Sequence, residues 1–189
     1  MSSIIKVNTF QDANGNALFS SDGSGTVTLD SNFSSAIPSG GDNTPAFEVY
    51  LSSNQNVSDN TYTKVTFDQE ILDTDNCFDN STNYRFTPTT AGKYYFYGAV
   101  SSSTNAGENQ FSQTGIYKNG SLYRQSFLDT RYSKGQTYEP FASVILDMNG
   151  SSDYVELYGK VFKGGGSITR FNGSGNKSTY FGGYKLIGA

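Results

Sequence analysis

Residues 93–100 read Lys-Tyr-Tyr-Phe-Tyr-Gly-Ala-Val and directly follow Thr87-Pro88-Thr89-Thr90-Ala91-Gly92. Proline fixes φ and glycine admits positive φ, so the six residues predict a turn. The β-branched and aromatic run behind it predicts a strand. A period of two puts Tyr94, Phe96, Gly98 and Val100 on one face and Tyr95, Tyr97 and Ala99 on the other. A strand apolar on both faces needs cover on both. In a two-layer sandwich one cover is the opposite sheet, and the other has to come from elsewhere, such as a neighbouring subunit.

The whole chain agrees with that strand. Glycine (21), Tyr (14) and Phe (14) are abundant in its 189 residues and Ala and Leu are not, which points to an all-β fold. The length suits one domain with a core plus an appendage. No histidine is present, which removes Ser-His-Asp and Cys-His catalysis, His-ligated metals and a simple switch near neutral pH. Cys77 is alone, so no intrachain disulfide can form, and between Asn76 and Phe78 it reads as a small buried apolar residue. The net charge of −4, with basic residues scattered, carries no nucleic-acid footprint. No segment approaches the ~20 apolar residues of a membrane helix, and MSSIIKVNTF lacks the apolar core of a signal peptide. The expectation is a protein left in the cytoplasm where it is made, with no cofactor implied. On that expectation the Asn-x-Ser/Thr sequons read as turn chemistry.

The stretch Phe67–Val100 resembles the signature of the C1q family of trimeric jelly rolls: Phe, an acidic or amide residue, an aromatic, a second Phe, then Gly-x-Tyr-x-Phe-x-aromatic. Phe67, Asp73 and Phe78 fall in place. Phe86 comes one residue late, implying an insertion within residues 80–84, and Gly98 stands where the last aromatic is expected. Three further stretches extend the resemblance: the alternating Ala46–Leu51, the Met-Asn-Gly-x-x-Asp-Tyr-Val-Glu-Leu of residues 148–157, which is similar to a late hairpin, and the closing Ser178–Ile187. The resemblance covers about residues 45–189. It implies a C1q-like (TNF-like) jelly-roll β-sandwich and a homotrimer, with Tyr94, Phe96, Phe181 and Tyr184 in core and trimer packing.

Residues 1–44 differ. Ile4–Val7 and Thr26–Leu29 are short strand-like runs separated by Asn14-Gly15 and Gly23-Ser24-Gly25 turns. They hold too little apolar surface to offset their own ordering entropy, which leaves a floppy tail or, as the better reading, an anchor segment that orders against partner chains or a larger particle. Lys6, Val7, Gln11, Asp12, Asn14, Gly15, Asn16 and Thr26–Leu29 resemble the leading segments of phage tail and fibre proteins. A Ser/Gly/Pro/Asn linker, Ser34–Pro45, separates anchor from domain.

In the domain, Asn119-Gly120 predicts a type I′ hairpin pairing Lys118 with Ser121, Tyr117 with Leu122 and Ile116 with Tyr123, with Gly115 as a candidate bulge. Asn149-Gly150 reads as a second tight turn, with Val155 and Leu157 inward beyond it and Glu156 and Tyr158 outward. Ser101–Asn109, Leu128–Thr137 and Lys163–Lys177 read as long loops. With the two termini at one end, as the resemblance implies, each antiparallel connection reverses direction, so the three loops gather at the far end and the two turns at the near one.

Several chemical readings fail on spacing. Residues 173–178 (GSGNKS) lack a phosphate-loop register and a following helix. Asp73, Asp75 and Asp79 could offer oxygens to Ca²⁺ but lack EF-hand spacing, so solvated loop acids are the simpler reading and the metal question stays open. Glu48, Glu70, Glu108, Glu139 and Glu156 sit where an outward charged face explains them. No carboxylate pair can be fixed for a glycosidase, and no enzyme is expected. Arg131, Tyr132, Arg170 and Phe171, in the long loops, are the receptor-binding candidates, because Tyr and Arg combine contact area with few rotors or several donors.

These readings add up to an expected homotrimeric adhesin. Residues 1–44 would join it to other proteins of a phage virion, and the C1q-like domain would bind a host-surface receptor avidly through three equal sites. A structural head or tail decoration protein is the alternative, and a polysaccharide-degrading enzyme a third.

Overall fold

The computed structural model describes residues 9–30, 43–105, 108–132, 135–164 and 168–187. The chain divides into two compact units, Met1–Asp42 and Asn43–Ala189.

The first unit is an antiparallel meander of β1 (Thr9–Gln11), β2 (Ala17–Ser21) and β3 (Val27–Leu29). Its turns are made by side chains. Asp12 Oδ1 accepts from the Asn14 and Asn16 N–H groups while Gly15 supplies a φ of 84°, and the Asp22 carboxylate accepts from the Ser24 N–H and hydroxyl. These bonds hold both carboxyls below their ordinary pKa. Phe10 stacks on Phe19 at 4.4 Å, and Leu29 pairs with Phe19 from the other side. None of these strands has a buried residue, as expected of so little apolar surface. β2 adds to the sequence expectation, being too short and too polar at its Ser20-Ser21 end to declare itself by alternation. The run Ile4–Val7 lies outside the described residues.

The second unit opens with β4 (Ala46–Tyr50), β5 (Gln55–Asn56), β6 (Thr63–Lys64), β7 (Gln69–Asp73), β8 (Phe78–Asp79) and β9 (Arg85–Phe86). It continues with β10 (Ala91–Ala99), β11 (Ser102–Thr104), β12 (Asn109–Lys118), β13 (Ser121–Asp129), β14 (Thr137–Tyr138), β15 (Phe141–Asn149), β16 (Val155–Lys163), β17 (Thr169–Phe171) and β18 (Tyr180–Lys185). One sheet has the order β15-β10-β18-β4-β7; the facing sheet runs β13-β12-β16-β9-β8, with β6 on β16. Phe47, Val49, Phe67, Phe86, Tyr94, Phe96, Val100, Ile116, Leu157 and Phe181, all at most 1% exposed, fill the space between them. The inward parity read for β4 and β10 is the one observed. Cys77 is buried, and that burial pushes its thiol pKa up.

Both departures from the expected aromatic spacing have local explanations. The extra residue is absorbed between β8 and β9, where Asp79 accepts from the backbone N–H groups of Ser81, Thr82 and Asn83 and Tyr84 takes a φ of 51°. Those donors hold the Asp79 carboxyl well below the usual carboxylate range. Phe86 still reaches the core, 4.2 Å from Phe47. At Gly98 a Cβ would lie about 3 Å from both methyls of Leu157, so the opposite sheet fills the place of the missing aromatic.

Four expectations are corrected. The Asn119-Gly120 turn has positive φ at both residues (51° and 76°) and pairs Lys118 with Ser121 and Tyr117 with Leu122, but Ile116 pairs with Arg124. The bulge leaves Tyr123 as the extra residue rather than falling at Gly115. Asn149-Gly150 closes no hairpin: β15 and β16 lie in opposite sheets, and Asn149 Oδ1 caps an arch by accepting from the N–H groups of Ser151, Ser152 and Asp153. Glu156 lies on the outward side of its sheet, as expected, but is not a solvated charge. It is 3% exposed and paired with Lys64 Nζ at 2.5 Å. The long loops, finally, are not structureless: β11, β14 and β17 lie within them or at their ends.

Candidate functional site

β14, β11, β17 and β5 form a third, four-stranded sheet from the connections themselves. Ser102 pairs with Tyr138 on one side and Phe171 on the other, and Phe171 in turn pairs with Gln55. Polar residues suit this layer because they bond to one another where apolar contacts are few. Asn109 Nδ2 donates to Ser112 Oγ at 2.9 Å, Ser102 and Ser112 share a hydroxyl bond, and the Thr130 hydroxyl donates to the Asn109 carbonyl at 2.7 Å.

The position of the layer follows from strand register. Ala46 pairs with Tyr184 at the end where the domain's chain comes in and goes out, whereas Tyr50 pairs with Tyr180 at the other end, next to Ser101 and the layer. Asn119 meets Asp153 and Tyr154, and Lys118 Nζ reaches the Asp147 carbonyl, so the tight turn and the arch sit together at the Ala46 end. The alternation of direction read from the sequence is the observed one: three connections at the far end, two at the near end.

The four loop candidates meet different fates there. Phe171 is a core residue, 0% exposed, and its expected surface role is withdrawn: β17 turns it inward, over Gly159. Arg170, half-buried, donates from Nε to Ser103 Oγ at 3.1 Å. Arg131 is exposed but occupied, its guanidinium bound to the Asp129 carboxylate two residues before it. That pairing raises the Arg131 pKa and lowers that of Asp129. Tyr132, beside it, is 100% exposed. The signal that separates Phe171 from Tyr132 is parity: Thr169-Arg170-Phe171 alternates like a strand, and Arg131-Tyr132 follows the end of one.

A second feature is the outward face of the β15-β10-β18-β4-β7 sheet. Tyr94, Phe96 and Phe181 point into the core, whereas Tyr184 lies on the opposite face, its ring 5.7 Å from that of Tyr95. Tyr97 crosses Gly182, where a Cβ would lie 2.6 Å from its ring, and donates its hydroxyl to Glu48 at 2.8 Å. Burial and that carboxylate push the Tyr97 phenol far above its usual pKa. Phe141 and Ile145 on the same face are 49% and 54% exposed. Sequence reasoning had no means of finding Phe141 and Ile145, which alternate with buried residues as any half-buried strand does.

Two of the three acids considered for Ca²⁺ are used otherwise: Asp73 accepts from the Cys77 and Phe78 N–H groups and Asp79 caps its own turn. Among the described residues no three acidic or Cys side chains come together as a metal site.

Comparison with solved structures decides the architecture. The globular domain of zebrafish complement 1qA matches with a TM-score of 0.52 at 20% identity, over 76% of this chain and 97% of that one. A tumour necrosis factor, Eiger from S. frugiperda, matches with a TM-score of 0.56 at 11% identity, over 76% and 93%. The fold is a C1q/TNF-like jelly roll. Murine APRIL shares it, with a TM-score of 0.52 at 12% identity over 75% and 98%. No family model matches the chain, and no curated protein does either. The meander β1–β3 stands outside the jelly roll as an additional unit.

Proposed function

We propose that this protein is a trimeric binding module of a phage fibre, joined to other virion proteins through residues 1–44, whose jelly roll recognises a host-surface receptor with the end remote from Ala46. The observation that carries the reading is the convergence of three long connections into one hydrogen-bonded layer at that end. Such a layer holds the described ends of these connections in place, and binding residues held on a rigid scaffold lose little entropy on binding. Tyr132 and Arg131 are its most exposed candidates and Arg170 a flanking one. The half-exposed tyrosine face with Phe141 and Ile145 supports the trimer, since a self-complementary neighbour would cover what the sandwich leaves open. The resemblance of residues 6–29 to fibre leaders supports the attachment to a virion. The fold hosts binding rather than chemistry in this reading, and Glu156, already neutralised by Lys64, is not free to act as an acid or base.

The test is to mix the purified trimer with candidate host cells. Saturable, strain-selective binding that is lost in an Arg131→Ala, Tyr132→Ala double variant supports the reading. Binding to virion components alone would replace it with a decoration role.

A further inference from the structure

The outward face of the other sheet, β13-β12-β16, carries a feature that neither the trimer nor the distal layer uses. Its strands bring Phe111, Phe127 and Phe162 together, with ring centroids 5.0 Å apart for Phe111 and Phe162 and 5.5 Å for Phe111 and Phe127. Tyr117 lies against Tyr158 at 4.0 Å, and Tyr62, from the connection before β6, meets Tyr117 edge-on at 5.9 Å. Between the Phe and Tyr groups stands Lys160, its ammonium 5.3 Å from the Tyr62 ring centre and 5.5 Å from that of Phe111.

Two observations mark Lys160 as unspent. Lys64, on the same face, is neutralised by Glu156. Lys160 has neither an ion pair nor a hydrogen bond among the described residues, in a chain whose net charge is negative. Directly across from it in register is Gln113, whose side-chain carbonyl oxygen is shut off from solvent with no partner. An oxygen closed to solvent takes no bond from a ligand, so the binding energy comes from the ammonium, which gains a charge-assisted hydrogen bond when a carboxylate is brought to it.

We propose that this face binds a carboxylated polysaccharide, with Lys160 holding a uronate carboxylate and the Phe111 and Tyr62 side receiving the C–H faces of the sugar rings. The chemistry selects the ligand. A single ammonium is a point charge that matches one carboxylate, whereas phosphate and sulfate esters favour the forked donors of Arg, and none lies among these rings. Partly exposed aromatic rings set around an ammonium match the alternating apolar and hydroxyl surface of a saccharide. A peptide would pair with a free backbone edge, and in this sheet that edge is β13, two strands away from Lys160 on β16. The site is lateral, separate from the distal layer and from the tyrosine face. The inference goes beyond the receptor reading above and does not depend on a virion.

The experiment is calorimetric titration of the full-length protein with three probes: an oligogalacturonate, the same oligomer with its carboxyls reduced to alcohols, and an oligoglutamate peptide. The oligogalacturonate should bind, the reduced oligomer at least about tenfold more weakly, and the peptide not at all. Lys160→Gln should weaken oligogalacturonate binding by about tenfold or more, since it removes the cation that stands between these rings. Lys177→Gln, at the far end of the domain, should leave it unchanged. Phe127 is 48% exposed, so Phe127→Ala gives a second variant whose fold is safe, and it should weaken binding several-fold. Equal affinity for the reduced oligomer, unchanged affinity in Lys160→Gln, binding of the peptide instead, or no binding of any probe would each overturn the proposal. Host-cell adsorption is not the readout, so loss of the fibre reading leaves this test standing.

Discussion

Phe171 lies over Gly159 so closely that a methyl group at position 159 would come within 2.6 Å of its ring. The contact joins the distal layer to the sandwich core, because Phe171 belongs to β17 and Gly159 to the middle of β16. Replacing Phe171 by Ala should therefore cost about 3–5 kcal/mol, as removal of a fully buried aromatic does. Gly159→Ala should cost about 1–3 kcal/mol by overpacking. Tyr132→Ala, wholly exposed, should stay within ~0.5 kcal/mol of the unsubstituted protein. Urea unfolding midpoints of the three variants check the ranking; a Phe171→Ala midpoint as close to the parent as that of Tyr132→Ala would return Phe171 to the surface.

How much of this was legible in the sequence depended on whether a residue announced itself by local pattern. Phe47, Val49 and Leu51 alternate with Glu48 and Tyr50, and the strand and its inward face follow directly. Asn119-Gly120 is a turn whose backbone only a few residue pairs tolerate, so the hairpin was readable to within one residue, and the bulge at Tyr123 was not. The third sheet was hidden because its strands are two or three residues long, too short for alternation to stand out, and Ser102–Thr104 is made of Ser and Thr alone, which local rules assign to loops. The Glu156 pairing was hidden for another reason: its partner Lys64 stands 92 positions away, and nothing local tells a charged residue facing solvent from one facing another charge. The lateral aromatic band was invisible for the same cause, since its rings come from four separate segments.

The Lys64–Glu156 pair makes a prediction of its own. The Glu156 side chain is 4% exposed and that of Lys64 30%. Lys64→Met would leave a carboxylate buried without its cation, at a cost toward the lower end of the ~3–5 kcal/mol typical of a broken buried pair, because one partner reaches solvent. Lys64→Met combined with Glu156→Met should recover most of the loss, since no charge is then stranded. The readout is a double-mutant cycle in urea, and simple additivity of the two changes would show the pair to be inert.

Alkaline stability should be limited by phenols. Tyr94 donates its hydroxyl to the Thr90 carbonyl at 2.7 Å, and burial pushes its pKa up to about 12. Tyr158 is also pushed up to about 12, by burial and then by Glu156. Folding favours the neutral phenol in both, so their stabilising contribution is complete below the unfolded value of about 10 and is lost as pH rises toward 12. Near-ultraviolet tyrosinate absorbance should rise in two phases, exposed tyrosines first and the buried ones together with unfolding. A single phase complete before any loss of β-sheet circular dichroism would contradict the burial of Tyr94.

The tyrosine face bears on assembly. Ile145 is 54% exposed beside Tyr95, and in an isolated jelly roll it has little reason to be apolar. If three chains close around this face, light scattering should give a particle of about 61 kDa, three times the 20.5 kDa chain. Ile145→Asp changes a side chain that the sandwich does not bury, so the single chain should keep its fold by circular dichroism. Three introduced carboxylates brought into one apolar interface would each lack a partner, at several kcal/mol apiece, and the particle should fall to the monomer mass. Ile71→Asp, at 44% exposure on the edge strand β7, tests whether the effect belongs to this part of the face or to any new surface charge. A monomer in the unsubstituted protein, or a trimer that survives Ile145→Asp unchanged at micromolar concentration, would remove the threefold interface from this face and with it the avidity on which the adhesin reading rests.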